Sequence, residues 1–266
     1  MELKQRDRVE ILVLLVLILV MGLGLFTLIY TKASLAPPPE PAVQASPTPA
    51  PAPTPLPTLR PVPTPEPSPA LRERTELLRL ANPLNLLPEG YEPELAMTEE
   101  EEYVDARCAE PLARMLADCR QAGNAPYICS AYRTTEKQTY LYNNKIQRLI
   151  NEGVDPAKAP AVAARSVAIP GASEHQLGLA VDIIDYYYPY LDRQQEETGT
   201  QQWLMENSWR YGFILRYPSD KSDITGTIYE PWHYRYVGPD EAAEIYELGL
   251  CLEEYLEQFY EPQEAE

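Results

Sequence analysis

Basic residues are scarce in this chain. Across 266 residues, 22 lysines and arginines face 40 aspartates and glutamates, which gives a net charge of −18 at pH 7. A protein that binds nucleic acid needs a basic surface to contact the phosphates. The charge balance therefore disfavours a nucleic-acid-binding function.

Cysteine is also rare, and its spacing excludes one kind of site. The four cysteines are Cys108, Cys119, Cys129 and Cys251. None has the close-pair spacing of a zinc knuckle. Cys108 and Cys119 fall on one predicted helix, ~16 Å apart along its axis, so they cannot form a disulfide with each other. In an exported chain four cysteines allow three pairings, and the sequence leaves open both buried free thiols and one or two disulfides.

Only two histidines occur in the whole chain, and each has a carboxylate nearby in sequence. His175 stands seven residues before Asp182, and His233 stands three residues after Glu230. Two imidazoles and an Asp carboxylate make three ligands for a tetrahedral zinc and leave a fourth position open for water, as in catalytic zinc sites. The sequence therefore predicts a zinc site at His175, Asp182 and His233, with Glu230 as general base.

The local patterns indicate how these side chains could meet. Residues 179–184 alternate like a strand, which places Asp182 on one face and lets it point toward His175 in the preceding loop. Glu230 and His233 are three residues apart, so a regular strand would point their side chains to opposite faces. Because Pro231 cannot donate a ladder hydrogen bond, we expect the strand to begin near Trp232 and Glu230 to lie in the loop that enters it.

These residues form two motifs that resemble a known family. Ser-x-His-x-x-Gly-x-Ala-x-Asp ends at Asp182, and Glu-x-Trp-His ends at His233. Together they resemble the zinc D-alanyl-D-alanine carboxypeptidases of the VanY-like branch, which act on peptidoglycan. The resemblance runs from about Asp105 to Tyr260. It implies one Zn²⁺ per chain, peptidoglycan stem peptides as partners, and the fold shared with the hedgehog signalling domain.

The resemblance also implies substrate-binding residues. Arg133 ends a Ser-Ala-Tyr-Arg stretch that looks like the family's Tyr-Arg motif, in which the arginine contacts the substrate near the scissile bond. The planar fork of an arginine suits a carboxylate. Ser173 corresponds to the serine that helps to bind the terminal residue, and Gln138 matches a further polar contact. Trp232 could either wall the pocket or belong to the core.

The remaining patterns predict an α+β domain with a small, mostly antiparallel sheet flanked by helices. We expect strands at 127–132, 179–184, 213–217 and from Trp232 onward. A helix that begins near Asp105 should bury one apolar face, and Pro111 predicts either a kink in this helix or a start nearer Ala109. A single amphipathic helix should close the domain. It is expected to run from Pro239 to about Gln258.

Before this domain the chain changes character. Residues 11–30 carry no charge and match the thickness of a bilayer core, and three basic residues precede them. The positive-inside rule then places the N-terminus in the cytoplasm. Residues 36–70 hold 15 prolines, which favours an extended polyproline II tether. The predicted order is tail 1–10, transmembrane anchor 11–30, proline-rich linker 31–70, transition arm 71–104, peptidase domain 105–260 and tail 261–266.

Together these patterns favour a zinc metallopeptidase that is held at the bacterial cytoplasmic membrane, with its catalytic domain in the cell-wall zone. It would remove the C-terminal D-alanine from peptidoglycan stem peptides. Two alternatives remain. One is an L,D-carboxypeptidase or endopeptidase acting on the same stems. The other is a non-catalytic wall-binding or signalling module, but the presence of both Glu230 and Arg133 favours catalysis.

The anchor is directly testable. The apolar run exceeds the usual signal-peptide core of about 7–15 residues, and Pro37 directly follows Ser34-Leu35-Ala36, the candidate cleavage site. We therefore expect the mature protein to keep the segment and to fractionate with membranes, as N-terminal sequencing would show. A soluble mature chain that starts near residue 37 would contradict the anchor.

Overall fold

The computed structural model describes residues 75–260. The predicted tail 1–10, anchor 11–30, linker 31–70 and C-terminal tail 261–266 lie outside the described residues. Within residues 75–260, none of the helices is both long enough and apolar enough to cross a bilayer.

The predicted α+β architecture is present. A four-stranded sheet has the order β3–β4–β6–β5, and every neighbouring pair in it is antiparallel. A separate hairpin pairs β1 with β2. The strands are β1 Leu95–Met97, β2 Tyr103–Asp105, β3 Pro126–Ser130, β4 Ala180–Asp185, β5 Phe213–Leu215 and β6 His233–Tyr236.

Helices surround this sheet in the described part of the chain. The α-helices are α1 Ala106–Gln121, α2 Thr135–Asn151, α3 Ala159–Ala164, α4 Gly199–Asn207, α5 Ser222–Thr225, α6 Pro239–Leu248 and α7 Leu252–Phe259. Short 3₁₀ turns cover Glu174–Leu177, Arg193–Glu197 and Ser208–Tyr211.

Helix α1 shows how local sequence sets an element. The Asp105 carboxylate accepts a hydrogen bond from the Arg107 backbone N–H, which caps the first turn. The helix begins at Ala106 and carries Pro111 inside it, so the later start nearer Ala109 is wrong. Its predicted apolar face is fully buried, and the members are Cys108, Leu112, Met115, Leu116 and Cys119.

The central strand β4 divides its residues between two environments. Leu179, Val181 and Ile183 enter the main core, which also includes Leu204 of α4. Successive strand residues point to opposite faces, so Asp182 lies on the other side of the sheet. One face of β4 therefore serves packing, and the opposite face is left for the polar site.

The final helix is not continuous as predicted. Gly249 adopts a left-handed φ of 65° and caps α6, and a second helix, α7, starts at Leu252. A glycine in this conformation typically ends a helix. Tyr246, in the last turn of α6, is half exposed.

All four cysteines are free thiols, which resolves the alternative that the sequence left open. Cys108 donates to the Asp105 carbonyl oxygen at 3.2 Å. Cys129 donates to the Asp182 carbonyl oxygen at 3.4 Å. The described domain is thus held by packing and polar contacts without a disulfide.

Gly178 joins the 3₁₀ turn that carries His175 to strand β4. Its φ is 74°, and a Cβ added there would lie 2.9 Å from the Asp105 backbone nitrogen. The Asp105 N–H donates to the Gly178 carbonyl oxygen at 2.8 Å, so the two chain segments are in close contact. Only glycine satisfies both the backbone angle and this approach.

We expect Gly178→Ala to destabilise the protein more than Gly90→Ala does. Gly90 has the same φ of 74° but no atom within 4 Å of an added Cβ, so it isolates the backbone-angle cost of about 1 kcal/mol. That cost corresponds to roughly 2–4 °C in Tm for a domain of this size. Gly178→Ala should lower Tm by at least twice as much in thermal unfolding. Equal shifts would show that the contact with Asp105 is unimportant.

Candidate metal centre

The fold brings the two predicted motifs together through strand pairing. Asp182 lies in β4 directly opposite His233, the first residue of β6. His175 lies in the 3₁₀ turn before β4 rather than in an irregular loop. Glu230 lies in the loop that enters β6, as predicted.

The side chains of these residues converge. His175 Nε2 lies 3.2 Å from Asp182 Oδ2, and His233 Nδ1 lies 2.9 Å from Asp182 Oδ1. The three potential ligand atoms all lie within 4.8 Å of one another, and the three residues are buried. Two nitrogens and one oxygen at this separation can hold a single metal ion of the zinc type.

The remaining ring nitrogens support the same assignment. His175 Nδ1 donates to the Ala131 carbonyl oxygen at 2.7 Å. His233 Nε2 faces the Glu174 carboxylate, with 3.6 Å between the nitrogen and Oε2. In metal sites the outward nitrogen of a histidine ligand usually faces a carbonyl or carboxylate, which fixes the tautomer and leaves the other nitrogen for the metal. The surroundings of both rings thus fit a metal centre.

Glu174 belongs to a buried charge cluster that the sequence reasoning missed. Its Oε1 lies 2.8 Å from Arg216 Nε and 2.8 Å from Arg235 Nη1, and all three side chains are buried. Arg216 also pairs with Glu253 of α7, with 2.5 Å between Nη2 and Oε1. The only sequence signal was the position of Glu174 beside His175, because its partners lie more than 40 residues away.

The electrostatics of the group follow from these neighbours. Burial alone would raise the pKa of Asp182, but His175, His233 and Arg133 hold it well below its usual range. Burial and the charge of Arg133 lower the pKa of His175 to about 4. Although burial opposes it, hydrogen bonding to Asp182 and Glu174 raises the pKa of His233 to about 9. Asp182 therefore stays an anion, the charge state that a metal ligand requires.

Glu230 has a different environment. Its Oε2 lies 3.9 Å from His233 Nδ1, at the edge of the donor group. Burial raises the pKa of Glu230 to about 8, and the nearby cations His233, Arg133 and Lys145 limit the rise. A carboxylate whose pKa lies near neutrality is suited to take up and release a proton.

Arg133 reaches the same group from the end of β3. Its Nη2 donates to Asp182 Oδ2 at 2.7 Å, and its Nε donates to Ser130 Oγ at 2.9 Å. Gln138 does not line the cavity, and its substrate contact remains a prediction. Gln138 is fully buried behind Arg133, donates to the Ala168 carbonyl oxygen at 2.7 Å, and lies 3.5 Å from Arg133 Nη1. It is placed to position the arginine.

A cavity of about 400 Å³ opens over the donor group. Ser173, Arg133, Glu230 and Trp232 all line it, so Trp232 meets the cavity rather than only the core. Tyr217, which the sequence reasoning did not single out, also lines it and packs its ring 4.8 Å from that of His233. The cavity is large enough for a small ligand and ends at the donor atoms.

The antiparallel sheet, the buried His/Asp/His group and the glutamate beside it are the features of a zinc metallopeptidase domain. A family model described as "VanY: D-alanyl-D-alanine carboxypeptidase" matches residues 101–239, just over half of the chain. The chain belongs to this family, and the resemblance in its motifs is confirmed.

Similar proteins agree with this placement. A D-alanyl-D-alanine carboxypeptidase of Enterococcus faecalis is 46% identical over 182 residues, which are 67% of this chain and 65% of that protein, slightly less than two thirds of its length. The structure of a vancomycin-resistance D,D-pentapeptidase VanY mutant in complex with Zn(II) is 45% identical, with a TM-score of 0.63, over 68% of this chain and 99% of the other. Together with the donor group, that complex confirms zinc as the cofactor.

A third similar protein has a different specificity. The LdcB LD-carboxypeptidase is 34% identical, with a TM-score of 0.62, and the match covers 70% of this chain and 88% of that one. The fold is therefore shared by proteins described as D,D- and as L,D-peptidases.

The buried Glu230 predicts a pH-dependent stability difference. Its pKa of about 8 in the folded chain lies above the ordinary 4.5, so its neutral form is the one that burial favours. The contribution of the neutral Glu230 carboxyl to folding stability is fully present below pH 4.5 and is lost as the pH rises through 8. Glu230→Gln stays neutral throughout. After zinc removal with a chelator, Tm of the variant minus Tm of the wild type should therefore increase from pH 5 to pH 9.

The matched control is Glu247→Gln, an exposed residue of α6. Its Tm difference from the wild type should stay flat over the same pH range. A flat difference for Glu230→Gln as well would mean that the Glu230 carboxyl is not desolvated.

Proposed function

We propose that this chain is a zinc peptidase that removes the C-terminal D-alanine from peptidoglycan stem peptides. The observation that carries the proposal is the convergence of His175, Asp182 and His233 with Glu230 and Arg133 in one cavity. A metal-binding group, a proton acceptor and a cation for the substrate are the parts that such a hydrolysis needs.

His175 Nε2, Asp182 and His233 Nδ1 would hold the zinc ion. The chemistry that Zn²⁺ supplies when bound is polarisation of the scissile carbonyl and a lowered pKa of the attacking water. Glu174 and the Ala131 carbonyl oxygen would keep the two imidazole rings in the required tautomers.

The other residues handle protons and substrate. Glu230 accepts the proton of the attacking water and passes it to the leaving amine, which its pKa near neutrality favours. Arg133 orients the peptide at the scissile bond, and its contacts with Ser130 and Asp182 fix the guanidinium before substrate binds. Ser173 binds the terminal residue, and Trp232 forms part of the wall.

An L,D-carboxypeptidase activity is the second candidate, and the similarity to LdcB favours it. Both activities would use the same metal group and base. Mass spectrometry of the products from defined tetra- and pentapeptide stems, with and without chelator, separates them. Loss of the last residue from the pentapeptide only would identify the D,D activity.

The location is part of the proposal. An uncharged run at 11–30 and a proline-rich stretch at 36–70 would hold the domain at a distance from the outer face of the cytoplasmic membrane. Stem peptides lie in that zone. The substrate and the tether thus point to the same compartment.

Glu230→Gln tests the mechanism. The variant keeps the size of the side chain but removes its basic oxygen, so turnover of a pentapeptide stem should fall by about 10²–10⁴. Zinc content, measured by elemental analysis, should stay at one per chain, because Glu230 is not needed to complete the donor group. The comparison variant His175→Ala should lose most of the zinc.

Each result assigns Glu230 a role. Zinc loss in Glu230→Gln would make Glu230 a ligand, and wild-type turnover would remove it from the mechanism. If neither protein cleaves any stem peptide, the chain is not this carboxypeptidase.

A further inference from the structure

One face of helix α2 forms a wall of the cavity. Leu141, Asn144, Lys145 and Arg148 all line the cavity. Their spacing of three, four and seven residues is that of a single helical face. The wall therefore carries two basic side chains, one turn apart.

Neither base is held by a direct polar contact in the described part of the chain, although Lys145 acts electrostatically on Glu230. In residues 75–260, neither Lys145 nor Arg148 has a hydrogen-bond or ion-pair partner for its side chain, although the chain holds 40 acidic residues. By contrast, Arg107, Arg120 and Arg216 are each paired with carboxylates. Unpaired bases that line a cavity in such an acidic chain attract an anionic group.

Their place in the cavity differs from that of Arg133. The guanidinium of Arg133 is held by Asp182 and Ser130 at the donor group, where the scissile bond must lie. Lys145 and Arg148 lie about three and about three and a half turns along α2 from its start at Thr135. A peptide with its C-terminal residue at the donor group must place its preceding residues elsewhere in the cavity, and this wall is available to them.

We propose that Lys145 and Arg148 form a subsite for a carboxylate that the substrate peptide carries upstream of the scissile bond. This inference rests on the proposed function. Stem peptides offer that chemistry in two places, the free α-carboxylate of a γ-linked D-glutamate and the second carboxylate of diaminopimelate. The ammonium and guanidinium groups select stems in which such a carboxylate is free over stems in which it is amidated or absent.

The test uses four synthetic pentapeptides that end in D-Ala-D-Ala. They combine D-glutamate or its α-amide at the second position with diaminopimelate or lysine at the third. The measured quantity is the ratio of kcat/KM for each acidic stem to that for its neutralised partner, with the full chain at one pH. Lys145 also lowers the pKa of Glu230, so a change of Lys145 would alter the absolute rates through Glu230 as well as through substrate binding. The ratio between two substrates of the same variant cancels the effect on Glu230.

For the wild type we expect a ratio of roughly three to ten at one or both positions, the size that partly exposed charge pairs give. The ratio should shrink as NaCl is raised. The position with the larger ratio identifies which carboxylate is bound. In the double variant Lys145→Met, Arg148→Gln the ratio should fall to about one.

Two variants serve as controls. Lys137→Met removes one positive charge from the first turn of α2, outside the cavity lining, and should keep the wild-type ratio. The charge-conserving pair Lys145→Arg, Arg148→Lys should retain a preference for the acidic stem. Far-UV circular dichroism and zinc content confirm that each variant is folded and loaded.

The outcomes separate the two proposals. Cleavage of all four stems with ratios near one in the wild type overturns the subsite and leaves the carboxypeptidase intact. A ratio that survives in the double variant also overturns it, because the selection would then reside elsewhere. Absence of cleavage of any stem overturns the proposed function and the subsite that depends on it.

Discussion

The ion pairs of Glu174 with Arg216 and Arg235 hold the site to the fold. The three charges are fully buried, so each depends on the others for compensation. Glu174 starts the turn that carries His175, Arg235 lies in β6 two residues after His233, and Arg216 follows β5. Removing Glu174 would leave the buried Arg235 without a carboxylate partner and would disturb both histidines together. The position of the donor atoms is therefore coupled to the stability of the sheet.

The pleat of the two central strands explains how a buried polar group coexists with a dry core. Asp182 of β4 and His233 of β6 are cross-strand partners on one face, while Val181 and Tyr234 pair on the other face and enter the core. Each strand thus contributes to both environments through the regular register between β4 and β6. Rigid, fully paired strands also limit movement of the donor atoms, which favours a preorganised site.

The donor group could be predicted from the sequence because its residues lie in two short motifs, and the alternation of side chains along a strand indicates which of them share a face. In the fold, Asp182 and His233 are then cross-strand partners. The sequence was insufficient where the decisive partner is distant. The ion pairs of Glu174 are with Arg216 and Arg235, which lie far along the chain. The burial of Gln138 beside Arg133 could not be read from the sequence either. The last helix was predicted as continuous because its apolar spacing continues across Gly249, and only the backbone shows the break there.

The four thiols have a consequence for how the domain can mature. Burial raises the pKa of Cys119 and of Cys129 to about 12 and that of Cys251 to about 11, and it raises the pKa of Cys108 as well. Since the thiolate is the reactive species, these sulfurs react slowly with oxidants. Because all four thiols are free, no disulfide has to form for the described domain to reach its native state.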